Sequence, residues 1–383
     1  MANNKDFIVK NAVEVGGSTK TTLGTITSSN IDLSTGNYFN DTLTTNTTYT
    51  ISNAGNVQSF QFEVTGTSVA SYGLNPEPVY QSKSFALNSQ DTAPQGIWFK
   101  PDGTKAYMVG FTNDRIFQYS LSTAWDLSTI SYDSVSTSVS SQDSVPKDVQ
   151  FKPDGTVMIV YGAANEEAFQ YTLSTAWNVS TASYASKSAN FSSLGPSVSS
   201  RNGIFVGDNG TKMYMVAAST DAVYQYTLST VYDLSTASYA SKSFSVSSQN
   251  TNPHKIIFND AGTTMILIGQ APFKLFQYTL STAWDVSTAS YSTYEFNPSD
   301  QMSSCLDAFA NEDGDLYILD ENTDTLFQYA MSAPATITWP SSIKWTGGSA
   351  PNTPGASQTD LFTFSTDDGG TSYYGFKTAT NLS

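Results

Sequence analysis

An aromatic-Gln-Tyr triplet returns five times in this 383-residue chain, as FQY at 117–119, 169–171, 276–278 and 327–329 and as YQY at 224–226. The central residues Gln118, Gln170, Gln225, Gln277 and Gln328 are separated by 52, 55, 52 and 51 residues. A period this regular restricts the chain to architectures in which one supersecondary unit is repeated and each copy packs on the next.

Each copy reads as four short strands. In the first, GIWF (96–99) passes through the turn KPDG (100–103) to KAYMVG (105–110), then RIFQYSL (115–121), then a tryptophan loop and SYDSVSTSV (131–139). Asp or Asn followed by Gly, or by one residue and Gly, recurs at the same turn as KPDG (152–155), GDNG (207–210), NDAG (259–262) and NEDG (311–314), supplying the positive φ that a tight hairpin requires. No 3.6-residue apolar period intervenes, so helical repeats are excluded. Four antiparallel strands per copy at this spacing predict the blades of a β-propeller. The last copy lacks a fourth strand, whereas YQSKSFAL (80–87) before the first copy resembles YASKSANF (184–191) and YASKSFSV (239–246). That orphan strand is expected to complete the last blade, giving a five-bladed propeller over 80–333.

The flanks differ in character. NIDLSTGNYF (30–39), DTLTTNTTYTISN (41–53) and VQSFQFEVTG (57–66) precede the repeats, and ATITWPSSIKWTGG (335–348), TDLFTFSTDDGG (359–370) and TSYYGFKTATN (371–381) follow them. Two or three strands are marginal alone. The two halves, 30–79 and 334–383, are therefore expected to form one discontinuous β-sandwich into which the propeller is inserted, with 1–29 as an amino-terminal docking arm.

Composition narrows the partners. A formal charge of −16 argues against nucleic acid, which needs clustered Lys and Arg. Cys305 is alone, so no intrachain disulfide is expected. The sequence holds no metal-ligand spacing, phosphate loop or Ser-His-Asp arrangement, so no catalytic residue, cofactor or metal is expected. Only 13% of residues are charged, and neither a secretion signal nor an apolar run long enough to span a membrane is read. Release of an extracellular protein at host lysis would reconcile these features. The acidic turn holding Glu312, Asp313 and Asp315 is expected to be solvated, because the spacing of a calcium loop is missing.

The near-uncharged dodecapeptides LSTAWDLSTISY (121–132), LSTAWNVSTASY (173–184), LSTVYDLSTASY (228–239) and LSTAWDVSTASY (280–291) place Trp125, Trp177, Tyr232 and Trp284 at one equivalent position. They are expected to be structural aromatics that cap the blades, with platforms for glycans as the alternative. The opposite loops differ in every copy, which makes Asn113, Asn165, Asp221, Phe273 and Asn322 the candidate receptor contacts. On that face Gln95, Lys147, Asn202, His254 and Leu306 align at the start of the innermost strands, and the single histidine is expected to be an ordinary residue near the axis.

The set NIDLSTGNYF, TLTTNTTYTISN, TITWPSSIKWTGGSAPNTP and DLFTFSTDDGGTSYYGF resembles a β-rich domain of structural proteins of tailed bacteriophages, marine ones especially. The elements PDGTK and YQYTLST resemble propeller repeats of phage and bacterial surface proteins. The resemblance implies a non-enzymatic virion appendage, a tail fibre, spike or head fibre on the outer surface of the particle. Its expected partners are other virion proteins, host-surface glycan and further copies of itself, a trimer being favoured, without nucleic acid or membrane insertion. A decoration or connector protein and a glycan depolymerase are the alternatives.

Overall fold

The structure is a computed structural model that describes residues 22–66, 68–196, 198–354, 358–380 and 382. Residues 1–21, the greater part of the expected docking arm, lie outside the described residues. The chain divides into two compact units, residues 1–69 with 333–383, and residues 70–332.

The first unit draws one sheet from both flanks of the sequence. Its five strands run in the order Tyr38–Thr42, Gln58–Thr65, Thr359–Thr366, Tyr373–Ala379 and Ile343–Trp345. The central junction is antiparallel, pairing Thr65 with Thr359 and Gln58 with Thr366, so residues 294 positions apart share a ladder. Alternation explains its single apolar face: Phe60, Phe62 and Val64 of one strand and Phe362 and Phe364 of the next are buried, while Ser59 before them and Gln61 between them are exposed. The ring of Phe60 stacks on Phe364 with centroids 4.8 Å apart, and Trp339 packs on Phe362 at 5.0 Å.

The second unit is a β-propeller assembly of four-stranded antiparallel sheets, five of them among the described residues. Four sheets take consecutive strands, for example Pro94–Phe99, Lys105–Gly110, Arg115–Leu121 and Ile130–Ser138. In the fifth, Cys305–Ala310, Asp315–Asp320 and Thr325–Ala330 are completed by Val79–Ala86, which pairs antiparallel with the third strand from Ala330 opposite Val79 to Thr325 opposite Ala86. The innermost strands, Pro94–Phe99, Pro146–Phe151, Arg201–Gly207, Pro253–Phe258 and Cys305–Ala310, neighbour one another in that order, and the last neighbours the first. Between successive sheets lie apolar cores, such as Tyr107, Val109 and Ile116 of one sheet against Val149, Phe151 and Met158 of the next. The middle strands are therefore buried on both faces.

The repeated glutamines join the sheets. Each amide oxygen accepts a backbone N–H from the loop of the following sheet: Gln118 from Val179 at 3.1 Å, Gln170 from Leu234 at 3.0 Å, Gln225 from Val286 at 3.1 Å and Gln328 from Leu127 at 2.9 Å. Gln277 faces the sheet with no dodecapeptide and takes Leu74 N–H at 2.7 Å instead. A buried amide that fills a buried N–H removes two desolvation penalties at once. Tyrosines on the second strands add a parallel set, as Tyr107, Tyr214 and Tyr317 donate to the carbonyls of Trp177, Trp284 and Trp125. Outside the cores, Lys83, Lys187 and Lys242 pair with Asp126, Asp233 and Asp285. Where the corresponding outer strand carries Val135, the acidic position is Asn178. The charge is missing from both members of the pair together.

Candidate functional site

Every innermost strand carries a register shift near its start, falling between Pro146 and Asp148, between Arg201 and Ile204, between Pro253 and Lys255 and between Cys305 and Asp307, with the first strand shifting opposite Val109 and Gly110. A bulge leaves one residue without a ladder partner and re-aims its side chain. On four of the five strands two consecutive residues thus line one recess, where ordinary alternation would give one. The recess is small, open to solvent, and formed by Gln95, Lys147, Asp148, Asn202, Gly203, His254, Lys255, Leu306 and Asp307.

The floor of this recess is a buried charge cluster. The Nζ of Lys255 lies 2.5 Å from Asp148 Oδ2 and 3.5 Å from Asp307 Oδ1, and all three residues are at most 3% exposed. The carboxylates also accept backbone N–H groups from the remaining two innermost strands: Asp307 from Ile97 at 2.8 Å and Asp148 from Ile204 at 2.8 Å. All five strands meet in this one network. Equivalent positions on those two strands are Gly96 and Gly203, where a Cβ would stand 2.8 Å from the carbonyl oxygens of Lys147 and His254 respectively. Glycine there permits the close approach that the network needs. Burial pushes the Asp307 carboxyl up to about 7 despite the lysine beside it, and the two carboxylates hold Lys255 above its ordinary value against the opposing effect of burial.

Next to the floor in sequence, Gln95, Lys147, Asn202 and His254 are half-buried. Lys147 donates to Gln95 Oε1 at 2.6 Å, and Asn202 donates to the Pro253 carbonyl at 2.9 Å. Burial lowers the pKa of Lys147. Burial first, and then the Lys147 charge, bring His254 down to about 4, which keeps the imidazole neutral at neutral pH. Glu321 opposes both shifts from the rim, where its carboxylate accepts from Ser304 Oγ at 2.9 Å. No group of His, Cys, Asp and Glu that could hold a metal occurs among the described residues.

The residues singled out from the sequence sit elsewhere. The rings of Trp125, Trp177, Tyr232 and Trp284 lie against Gly103, Gly155, Gly210 and Gly262 of the hairpin turns, where any Cβ would come within 2.4 Å of the ring. Trp177 stacks on Trp98 at 5.6 Å and Trp125 on Phe309 at 6.1 Å. Asp126, Asn178, Asp233 and Asp285 each cap the short turn that follows, accepting the N–H two residues on. These loops are knitted into the packing between sheets.

None of Asn113, Asn165, Asp221, Phe273 and Asn322 lines the recess. Asn113 and Asn165 bond back to the Gln90 and Gln142 carbonyls, Asn322 donates to Ser303 Oγ, Asp221 occupies a turn with φ of 47°, and Phe273 opens a third strand. Sequence reasoning placed Lys147 and His254 near the axis and gave them no role, and it passed over Asp148 and Asp307. The position after His254 in the same alignment reads Gly96, Asp148, Gly203, Lys255 and Asp307, and that mixture of glycine with opposite charges was the available signal.

No protein-family profile matches the sequence, and no curated protein matches it either. Among solved structures, the chain is similar to a putative 6-phosphogluconolactonase from Bacteroides uniformis, at 10% identity and a TM-score of 0.38, covering 60% of this chain and 58% of that one. It is similar to the periplasmic gluconolactonase PpgL of Pseudomonas aeruginosa, at 11% identity and a TM-score of 0.34, covering 52% of each chain. A luciferin-regenerating enzyme matches at 11% identity and a TM-score of 0.40, covering 67% of this chain and 95% of that one. The chain thus spans little more than half the length of the first two. The expectations of a non-enzymatic phage appendage, of its connector and depolymerase alternatives and of a place on the virion surface are corrected on this finding. Of these three, two are named as lactonases, one of them periplasmic, and one as a luciferin-regenerating enzyme, and none of the three is named as a virion component.

Proposed function

We propose that residues 70–332 form a closed five-bladed propeller, set into a β-sandwich built from the two flanks, and that its axial recess is the active site of a hydrolase for small polar acyl compounds. The observation that carries the reading is the pairing of a half-buried ammonium, Lys147, with a neutral imidazole, His254, in one recess lined by five bulged strands. Closure is supported by the bonds from the last sheet to the first, Gln328 to Leu127 and Tyr317 to Trp125.

The chemistry follows from the two groups. The imidazole of His254, uncharged at neutral pH, removes a proton from water as the water oxygen adds to an ester carbonyl. The Lys147 ammonium donates to the carbonyl oxygen as it gains negative charge. Collapse breaks the acyl C–O bond, and the proton passes from His254 to the departing alkoxide. In a cyclic ester the product is one hydroxy acid. The Asp148–Lys255–Asp307 floor touches no substrate in this scheme and fixes the strands that carry Lys147 and His254.

Hydrolysis of γ- and δ-lactones, sugar lactones included, is the reaction to test, by acid release at constant pH. His254→Gln is expected to lower kcat/KM by ~10²–10⁴-fold and Lys147→Met by ~10²–10³-fold, with unchanged melting temperatures. Hydrolysis no faster than in buffer across the panel, or rates indifferent to both substitutions, would refute the reading.

A further inference from the structure

We propose that the recess binds a small monocarboxylate, a hydroxy acid in chemical class, with its carboxylate between Lys147 and His254. This rests on the reading of the recess as the active site and adds the charge of what occupies it.

Charge pairing carries the argument. Of the twelve lysines among the described residues, ten have a carboxylate within 4.0 Å, and Lys344 lies over the ring of Tyr374. Lys147 alone has neither. Its one hydrogen bond goes to the neutral Gln95 Oε1, at 2.6 Å. An ammonium has three donors, and leaving it half-buried without a counter-ion is costly until an anion arrives. The chain has 33 acidic residues against 17 basic ones, so a partner for this lysine was not hard to supply. Lys255, directly below, shows the contrast, being matched by Asp148 and Asp307.

The surroundings restrict the anion. Asp148 and Asp307 form the floor, and Glu321 acts on both Lys147 and His254 from the rim. Lys255 balances one charge of the floor and the Asp307 carboxyl is raised to about 7, so Glu321 and what remains of the floor charge repel a dianion twice as strongly as a monoanion. Gln95 and Asn202 offer neutral polar groups in the same recess, suited to hydroxyls next to the carboxylate. The neutral imidazole can donate one N–H to it.

The chain contains one histidine, so its ring C–H resonance reports this site without assignment. We would titrate that signal with pH in sodium gluconate, in glucose, in inorganic phosphate and in sodium chloride of matched ionic strength. The pKa near 4 in the free protein should rise by about one unit or more in gluconate, saturably, because a bound carboxylate favours the imidazolium. Glucose and chloride should leave it in place. Lys147→Met should raise the free value and abolish the response to gluconate, and Lys147→Arg should preserve that response. A gluconate effect no larger than that of chloride, or one that survives Lys147→Met, overturns the proposal; phosphate acting as strongly as gluconate overturns its restriction to monocarboxylates. The hydrolase reading fails separately. Saturable binding without turnover of any lactone removes the enzyme and leaves the anion site, whereas turnover without a gluconate shift removes the anion site alone.

Discussion

Two rings of side chains divide the labour of the repeat unit. The ring of tryptophan loops repeats almost unchanged, and its groups are spent on neighbours: indole on turn glycine, carbonyl on tyrosine, following amide on the glutamine of the preceding sheet. The inner ring uses five equivalent positions for Gln95, Lys147, Asn202, His254 and Leu306, no two alike, and leaves the Lys147 ammonium with no carboxylate within 4.0 Å and the His254 imidazole neutral. In a repeat protein, identity between copies marks what one copy needs from the next. Difference between copies, where it brings unlike chemistry together at an axis, marks what the assembly does as a whole.

The comparison can be broken most forcefully at the floor of the recess. Lys255→Met leaves Asp148 and Asp307 buried without a cation, and the loss should be ~3–5 kcal/mol, read as a collapse of the denaturant midpoint. Asp307→Asn keeps the Lys255–Asp148 pair and should be much milder. The wild-type carboxyl, with its folded pKa raised, contributes stability that is complete only below its ordinary value of 3.8 and is lost progressively as pH rises from there to about 7. The deficit of Asp307→Asn relative to wild type should therefore shrink between pH 5 and pH 8. A deficit that grows over that range would contradict the assignment.

Trp177→Ala tests the other ring. Loss of the indole from Gly155, Trp98 and Phe151 should cost ~2–4 kcal/mol, below a fully buried truncation because the ring is half-exposed. The pKa of His254 should not move. An unchanged melting temperature would show that the tryptophans are free platforms and would erase the contrast between the rings. The smallest effect sharpens it: Val135→Lys with Asn178→Asp installs the charge pair missing between the first and second sheets, with an expected gain of ~0.2–1 kcal/mol that fades in salt. Each substitution alone should bring no gain, and additive single effects would show that the two positions do not meet.

Much of the repeat unit was readable because its signals are local. The Asp-Gly, Asn-Gly and Asp-x-Gly turns fix hairpins within a few residues, and the fourth strand of the last sheet could be matched to 80–87 by its likeness to YASKSF, against an observed Val79–Ala86. The partners of the glutamines were not readable, since Gln118 meets Val179 in the next copy, 61 residues away, and a single period contains no such register. The recess was missed for a different reason. Strand alternation sends one of two adjacent residues inward, so Lys147 and Asp148 could not both be assigned to the axis until the bulge was seen. The flanking strands were legible as strands, while the ladder between Thr65 and Thr359 depends on residues brought together only by the fold.

The strand Val79–Ala86 also sets a timetable. It is made before any complete four-stranded sheet, yet its partner Thr325–Ala330 leaves the ribosome roughly 250 residues later, ~10–50 s at ordinary rates of synthesis. Through that interval it is an orphan ribbon in a crowded solution, with every second residue free to recruit a stranger. Its sequence, VYQSKSFA, interrupts its apolar residues with Gln81, Ser82, Lys83 and Ser84. The lysine that later reaches Asp126 is, during that wait, the charge that discourages pairing with another nascent chain.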